Sequence, residues 1–210
     1  KTSVSDLDPV TLFVEYESVL QNKLQYIPER VKLEVSCRSL MEPSERVNIR
    51  SMIEEAYPEE EFSWPEFEVP TVIPGRTFLE KVFLLHEEFN RPNGCTHVER
   101  ITRHMYDIVM MMDKPFAAEA MNNTTLYEDI VSHRRKFTAW SGLDYNKHSP
   151  QTINFMPPEH IMPILRDDYR SMQDGFIYSN APSFDEIIER MQELLGRFRK
   201  LQWNEQSWLC

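Results

Sequence analysis

At 210 residues the chain can bury one sizeable core or two small ones, and 41% hydrophobic content is too high for a disordered chain. Its net charge of −11, from 34 acidic and 23 basic side chains, weighs against broad, sequence-independent binding to nucleic acid, which depends on neutralising phosphates. A small basic patch on an acidic protein remains compatible with gripping one RNA end. No apolar run approaches the roughly 18 residues of a membrane span, so no membrane association is expected. Cys37, Cys95 and Cys210 have neither CxxC nor finger spacing, which predicts reduced thiols in a cytoplasm and no structural zinc. The chain opens on Lys1-Thr2-Ser3-Val4, with neither signal peptide nor initiator methionine.

In chain order, Leu12, Val14 and Tyr16 alternate with Phe13, Glu15 and Glu17, the period of a strand. Further on, Val31, Leu33, Val35 and Cys37 fall on one strand face, with Lys32, Glu34, Ser36 and Arg38 on the other. Ile49, Met52, Ile53 and Ala56 predict a short helix within 43–56, before a solvated loop at Pro58 and Glu59-Glu60-Glu61. A third strand is predicted at 67–73. After Pro74 the period becomes helical: Phe78, Leu79, Val82, Phe83, Leu85, His86 and Phe89 form an apolar stripe over 77–90. Helices are also predicted at 97–113, 114–137 and 158–174, and after Ser183, which forms a capping box with Glu186. Residues 140–156 read as an ordered linker. The fold class is α+β, with a partial sheet in 1–73 and a helical bundle in 74–210.

Three constellations are candidates for chemistry. Lys32 and Glu34 project side by side from one strand face, roughly 6.8 Å apart. That pair suits a metal-bound triphosphate, the carboxylate holding Mg²⁺ and the amine meeting phosphate, or it is simply the wet face of a half-buried strand. Pro74-Gly75-Arg76-Thr77-Phe78-Leu79-Glu80-Lys81 sits at a loop-to-helix junction, where Thr77 could cap the helix and Lys81 follows one turn in. Lys81 is otherwise an ordinary solvated lysine. In Arg100-Ile101-Thr102-Arg103-His104-Met105-Tyr106-Asp107, helical spacing sets Arg103 and His104 beside Asp107, and Arg100 beside His104. Such a group is a phosphate site or a surface charge network.

Val31-Lys32-Leu33-Glu34, the segment Pro74 to Lys81 and Arg103-His104-Met105-Tyr106-Asp107 resemble, in order and spacing, three motifs of the AbiEii/AbiGii nucleotidyltransferase family, toxins of bacterial abortive-infection (phage defence) and type IV toxin–antitoxin systems. Asp8-Pro9-Val10-Thr11-Leu12, Glu42-Pro43-Ser44-Glu45 and Pro182-Ser183-Phe184-Asp185-Glu186-Ile187 are also similar to family segments, so the resemblance covers nearly the whole chain. It departs at the front. Family members begin with a Gly-Ser element followed by Asp-x-Asp, the metal-holding carboxylates of a DNA polymerase β-like fold, and no such element precedes Lys32. Asp6-Leu7-Asp8 spells Asp-x-Asp without the glycines or the strand, so it is not read as the metal site.

The resemblance implies a remainder of a polymerase β-like sheet followed by the helical bundle, and an enzyme moving NMP from an NTP to an acceptor hydroxyl. Mg²⁺ (or Mn²⁺) is the implied cofactor, a tRNA 3′ end or other RNA the acceptor, and a cognate antitoxin the protein partner. Glu34, Lys81 and Asp107 are the implied catalytic residues, with Glu34 also a metal ligand; Lys32, Arg76 and Arg103 are the implied nucleotide- or phosphate-binding residues. Glu34 and Lys81 should then share a cleft, and Lys81 should contact Asp107. Without Asp-x-Asp this chain alone is expected to bind a nucleotide without transferring it. The alternative is a non-catalytic nucleotide-binding or protein-interaction module with a vestigial site.

Overall fold

In the computed structural model, which describes residues 10–17, 19, 28–35, 43–62, 64–92, 96–177 and 180–203, the strands pair as two antiparallel hairpins. Strands β1 (Val10–Glu15) and β2 (Arg30–Val35) set Leu12 opposite Leu33 and Thr11 opposite Glu34. Strands β3 (Ser44–Ile49) and β4 (Phe67–Val72) set Val47 opposite Val69. Strand β3 corrects the helix expected within 43–56, of which only α1 (Met52–Ala56) is helical, capped by the Ser51 hydroxyl at the Glu54 amide. Ser44-Glu45-Arg46-Val47-Asn48-Ile49 carries little alternation; pairing with β4 makes it a strand. A ribbon of two strands has no second layer to cover it. Leu12, Phe13, Val31 and Leu33 accordingly stay exposed and lie outside the hydrophobic core. Asp6-Leu7-Asp8, Cys37, Cys95 and Cys210 lie outside the described residues.

The core is helical. Helix α2 (Pro74–Phe89) runs through its middle, with Phe78, Leu79, Val82, Phe83 and Leu85 fully buried as the apolar stripe predicts. Around it pack α3 (Thr102–Met111), α4 (Pro115–Asn122) and α5 (Thr124–Phe137), while α6 (Met162–Phe176) and α7 (Phe184–Arg199) close on α3. With the two hairpins, this makes an α+β protein.

Several boundaries differ from the periodic reading, each for an identifiable reason. Helix α2 begins at Pro74 rather than at a Thr77 cap, because proline's fixed φ and missing N–H suit a first turn. Helix α3 starts only at Thr102, since Arg100 has φ 56°, a left-handed conformation that breaks the helix. Its free amides are taken by Asp168 of α6, which accepts from the N–H groups of Arg100 (2.8 Å) and Thr102 (3.1 Å) and from the Thr102 hydroxyl (2.5 Å). The single helix expected over 114–137 is two, because Asn123 turns its side chain back to accept the Leu126 N–H at 3.0 Å. Helix α6 begins at Met162, after a 3-10 turn at Glu159–Ile161. The capping box at Ser183 and Glu186 is present. Residues 140–156 are more than a linker: Tyr145, His148, Ile153 and Phe155 are buried.

Gly75, in the first turn of α2, is set by a close approach. A Cβ added there would lie 3.0 Å from the Phe116 carbonyl oxygen and 3.1 Å from the Ala120 Cβ, so α4 packs where a side chain would stand. Gly75→Val should therefore lower stability by about 1–3 kcal/mol through overpacking. The midpoint of urea unfolding reads this; an unchanged midpoint would show that α4 is free to move away.

Candidate functional site

The amine of Lys81, one turn and more into α2, meets two side chains of α3: Asp107 Oδ2 at 2.7 Å and His104 Nδ1 at 3.3 Å. The first contact is the pairing expected from the motifs. Lys81 is 21% exposed, enough to face a ligand while losing part of its water. Arg103 Nε lies 3.4 Å from His104 Nε2. A neutral imidazole accepts through one nitrogen only, and we assign Nδ1, the shorter contact, as the acceptor from Lys81. Burial, then the charges of Lys81 and Arg103, push the His104 pKa down to about 4. At neutral pH His104 is therefore a hydrogen-bonding group and not one of the cations around Asp107. Arg100 lies outside the helix, in a left-handed conformation.

On the opposite flank of α2 lies a buried ionic network that sequence reasoning missed. Arg134 of α5 donates to Glu87 through Nε (2.7 Å) and Nη2 (2.6 Å), and to Glu80 through Nη1 (2.9 Å). Glu80 also accepts from Arg76 at 3.1 Å, and Glu87 faces His148 Nε2 at 3.2 Å. Burial pushes the Glu87 carboxyl up, but the hydrogen bonds from Arg134 and His148 outweigh it and hold it low. Burial opposes the charge on Arg134 too, and Glu87 and Glu80 outweigh that. The seven-residue spacing of Glu80 and Glu87, two turns on one helix face, was the available signal; nothing in the sequence marked Arg134 as their partner.

Between these flanks opens a cleft of about 540 Å³, lined on α2 by Arg76, Thr77, Glu80, Lys81 and Leu84, on α3 by His104, and on α5 by His133, Arg134 and Phe137. Its volume is that of a small-molecule site. His133 also lines a second hollow of about 840 Å³, with Asn123, Thr125, Asp129, Ser132 and Lys136. Thus Lys81 and Arg76 face one cleft, and Asp107 holds Lys81 from behind. Arg103 is exposed and does not line the cleft. Lys32 and Glu34 are not among its lining residues either, and they pair with each other at 2.8 Å on β2. Strand spacing alone explains it, because side chains two residues apart on one face are close enough to neutralise each other.

Divalent metal fits the described residues poorly. Mg²⁺ takes an octahedron of oxygens, and among the described residues no three His, Cys, Asp or Glu side chains gather to hold an ion. Glu34 is engaged by Lys32, and Asp107 by Lys81.

The site is thus a lysine held by a carboxylate beside a cleft lined by Arg76, Lys81 and Arg134 in an α+β chain. A family model described as nucleotidyl transferase AbiEii toxin, type IV toxin–antitoxin system, matches residues 2–190, and the chain belongs to that family. The family is one of transferases acting as toxins, each implying an antitoxin partner. No curated protein and no solved structure matches the chain. No described helix is long and apolar enough to cross a membrane.

The network behind the cleft makes stability depend on pH. Burial and the neighbouring His148 lower the His86 pKa to about 4, and the ring accepts the Asn154 N–H at 3.1 Å as a neutral base. The unfolded chain thus takes up this proton first, so the stabilisation is complete above the ordinary value near 6.5 and is lost as pH falls toward 4. On the order of 3 kcal/mol is at stake. Urea midpoints should hold from pH 7.5 to about 6.5 and fall from there to 4.5, and His86→Gln should flatten that fall.

Proposed function

We propose that this protein moves NMP from an NTP to the hydroxyl of an RNA acceptor, a tRNA 3′ end, with Lys81 as the residue that meets the triphosphate. The observation that carries the reading is the Lys81 amine, fixed by Asp107 and by neutral His104 at a cleft of nucleotide size. In the reaction the acceptor oxygen attacks the α-phosphorus, the bond to the bridging oxygen breaks, and pyrophosphate leaves as the hydroxyl proton passes to solvent. Charge builds on the departing oxygens, and a preorganised ammonium in a partly dry cleft stabilises it. Asp107 orients that ammonium. Arg76, already bonded to Glu80, adds positive potential at the cleft floor, and Arg103 meets phosphate at its rim. The acceptor end approaches through the second hollow, which shares His133 with the cleft.

In this reading the fold is a polymerase β-like sheet remnant in 1–73 joined to a helical domain in 74–210. Mg²⁺ or Mn²⁺ is carried on the NTP oxygens, since the described carboxylates build no cage for it. Lys32 and Glu34 reach the nucleotide only if their mutual pair opens, and the cytoplasm, an NTP supply and a cognate antitoxin complete the setting. One observation favours a second reading, a nucleotide-binding module without transfer: Glu34 is spent on Lys32 and stands outside the cleft. Consistent with that, the 210-residue chain should bind NTP and not transfer it by itself.

The test is incorporation of radiolabelled NTP into total tRNA, with each of the four nucleotides, by the 210-residue chain and by a version preceded by a Gly-Ser…Asp-x-Asp segment. The longer version should label RNA, and Lys81→Ala in it should lower kcat by orders of magnitude, since the lost charge acts chiefly in the transition state. Folded, antitoxin-free protein inactive with all four nucleotides would leave the binding-module reading. Transfer by the 210-residue chain itself would move the metal site elsewhere.

A further inference from the structure

The cleft has two unlike walls. One is ionic: Lys81 with His104, and Arg76 with Glu80. The other is aromatic and apolar, built by Phe137 and His133 of α5 with Val72 and Leu84. The Phe137 and His133 rings sit 4.6 Å apart at an interplanar angle of 35°, and the Lys136 ammonium lies 5.1 Å from the centre of the Phe137 ring. Phe137 is 38% exposed although it ends a helix whose Ile130 and Val131 are buried, so this ring is held at the cleft surface rather than in the core. Arg134, one turn earlier, is clamped by Glu80 and Glu87, which fixes the last turn of α5 and with it both rings. A cleft with cations on one side and a fixed aromatic face on the other matches a ligand with a phosphate end and a flat heteroaromatic end.

We propose that Phe137 and His133 form the platform on which the nucleobase of the bound NTP stacks, with its phosphates extending across α2 to Lys81. The inference rests on the reading of this cleft as the NTP site and adds the base subsite. Stacking uses the face of the base, which all four share, so the platform separates nucleotides from bare polyphosphate more than one base from another. His133, on the boundary with the second hollow, then marks where the base ends and the acceptor begins.

Isothermal titration of the full chain with ATP, GTP, CTP, UTP and inorganic tripolyphosphate tests this, with Phe137→Ala, Phe137→Trp and Lys81→Ala as variants. Base–aromatic stacking predicts that Phe137→Ala weakens every NTP about tenfold while leaving tripolyphosphate unchanged, and that Phe137→Trp retains NTP affinity. Lys81→Ala should weaken NTP and tripolyphosphate alike. Equal losses for NTP and tripolyphosphate in Phe137→Ala, or no loss of either, overturn the base platform while the phosphate site stands. Loss of RNA binding with NTP binding intact in that variant assigns the platform to the acceptor and overturns the proposal as well. A wild-type chain that binds neither NTP nor tripolyphosphate overturns both readings. Thermal unfolding of each variant confirms that the half-exposed ring was replaced without loss of fold.

Discussion

A guanidinium taken out of water is tolerated only when its donors are met by charge, and in this molecule Arg134 is met by two carboxylates set two turns apart on one helix. Glu80 and Glu87 lie seven residues apart on α2, so both carboxylates face α5, and Arg134 spans the gap with three hydrogen bonds. Glu80 extends the tie to Arg76 at the start of α2, and Glu87 extends it to His148 in a 3-10 turn at Tyr145–His148. One side chain therefore fixes the relative position of three segments. Removing either end of such a pair leaves an uncompensated buried charge, typically worth about 3–5 kcal/mol. The arrangement stabilises less by its own attraction than by making every alternative packing of α5 against α2 costly.

That constraint explains the shape of the cleft. Glu80 and Lys81 are neighbours in sequence, so their side chains leave α2 about 100° apart. Once Arg134 fixes Glu80 toward α5, Lys81 has to point toward α3, where Asp107 and His104 wait. Helix α3 is in turn held at its start by Asp168 of α6, so the carboxylate that orients Lys81 is itself placed by a distant cap. Gly75 lets α4 lie against the first turn of α2 and keeps the motif's backbone in place. The geometry of the cleft walls is thus a consequence of which face of α2 each ionic partner claims.

How much of this was legible beforehand follows from which interactions are local. The apolar stripe of α2, the capping box at Ser183 and the Lys81–Asp107 contact were all readable, the last from the family resemblance of the two segments that carry these residues. The break at Asn123 was hidden inside a continuous helical period, although Asn-Asn-Thr was a local signal for it. Strand β3 was not readable, since its register comes from β4 some twenty residues away. Arg134, His148 and Asp168 were illegible for the same reason: each meets its partner across 47 to 68 residues, and no periodicity records such a meeting. The strand face of β2 is a different case. Lys32 and Glu34 were placed correctly on one face, but that same proximity lets them satisfy each other.

Charge distribution decides what such a cleft selects. The chain as a whole carries −11, so a polyanion as extended as duplex nucleic acid meets repulsion over most of the surface. The cleft concentrates cations, Arg76, Lys81 and Arg134, but each is bonded to a carboxylate, Arg76 to Glu80, Lys81 to Asp107 and Arg134 to Glu80 and Glu87, and His104 is neutral. Most other described arginines are spent on neighbouring carboxylates, as Arg166 is on Asp185 and Arg197 on Asp113 and Glu193. Inside an acidic shell, such paired cations can meet an anion only where it is small enough to enter and compete with their carboxylates, and a larger polyanion has only its end to offer. The steric width of the cleft and the sign of the surrounding surface therefore act in the same direction, which neither the overall composition nor the list of cleft residues would imply alone.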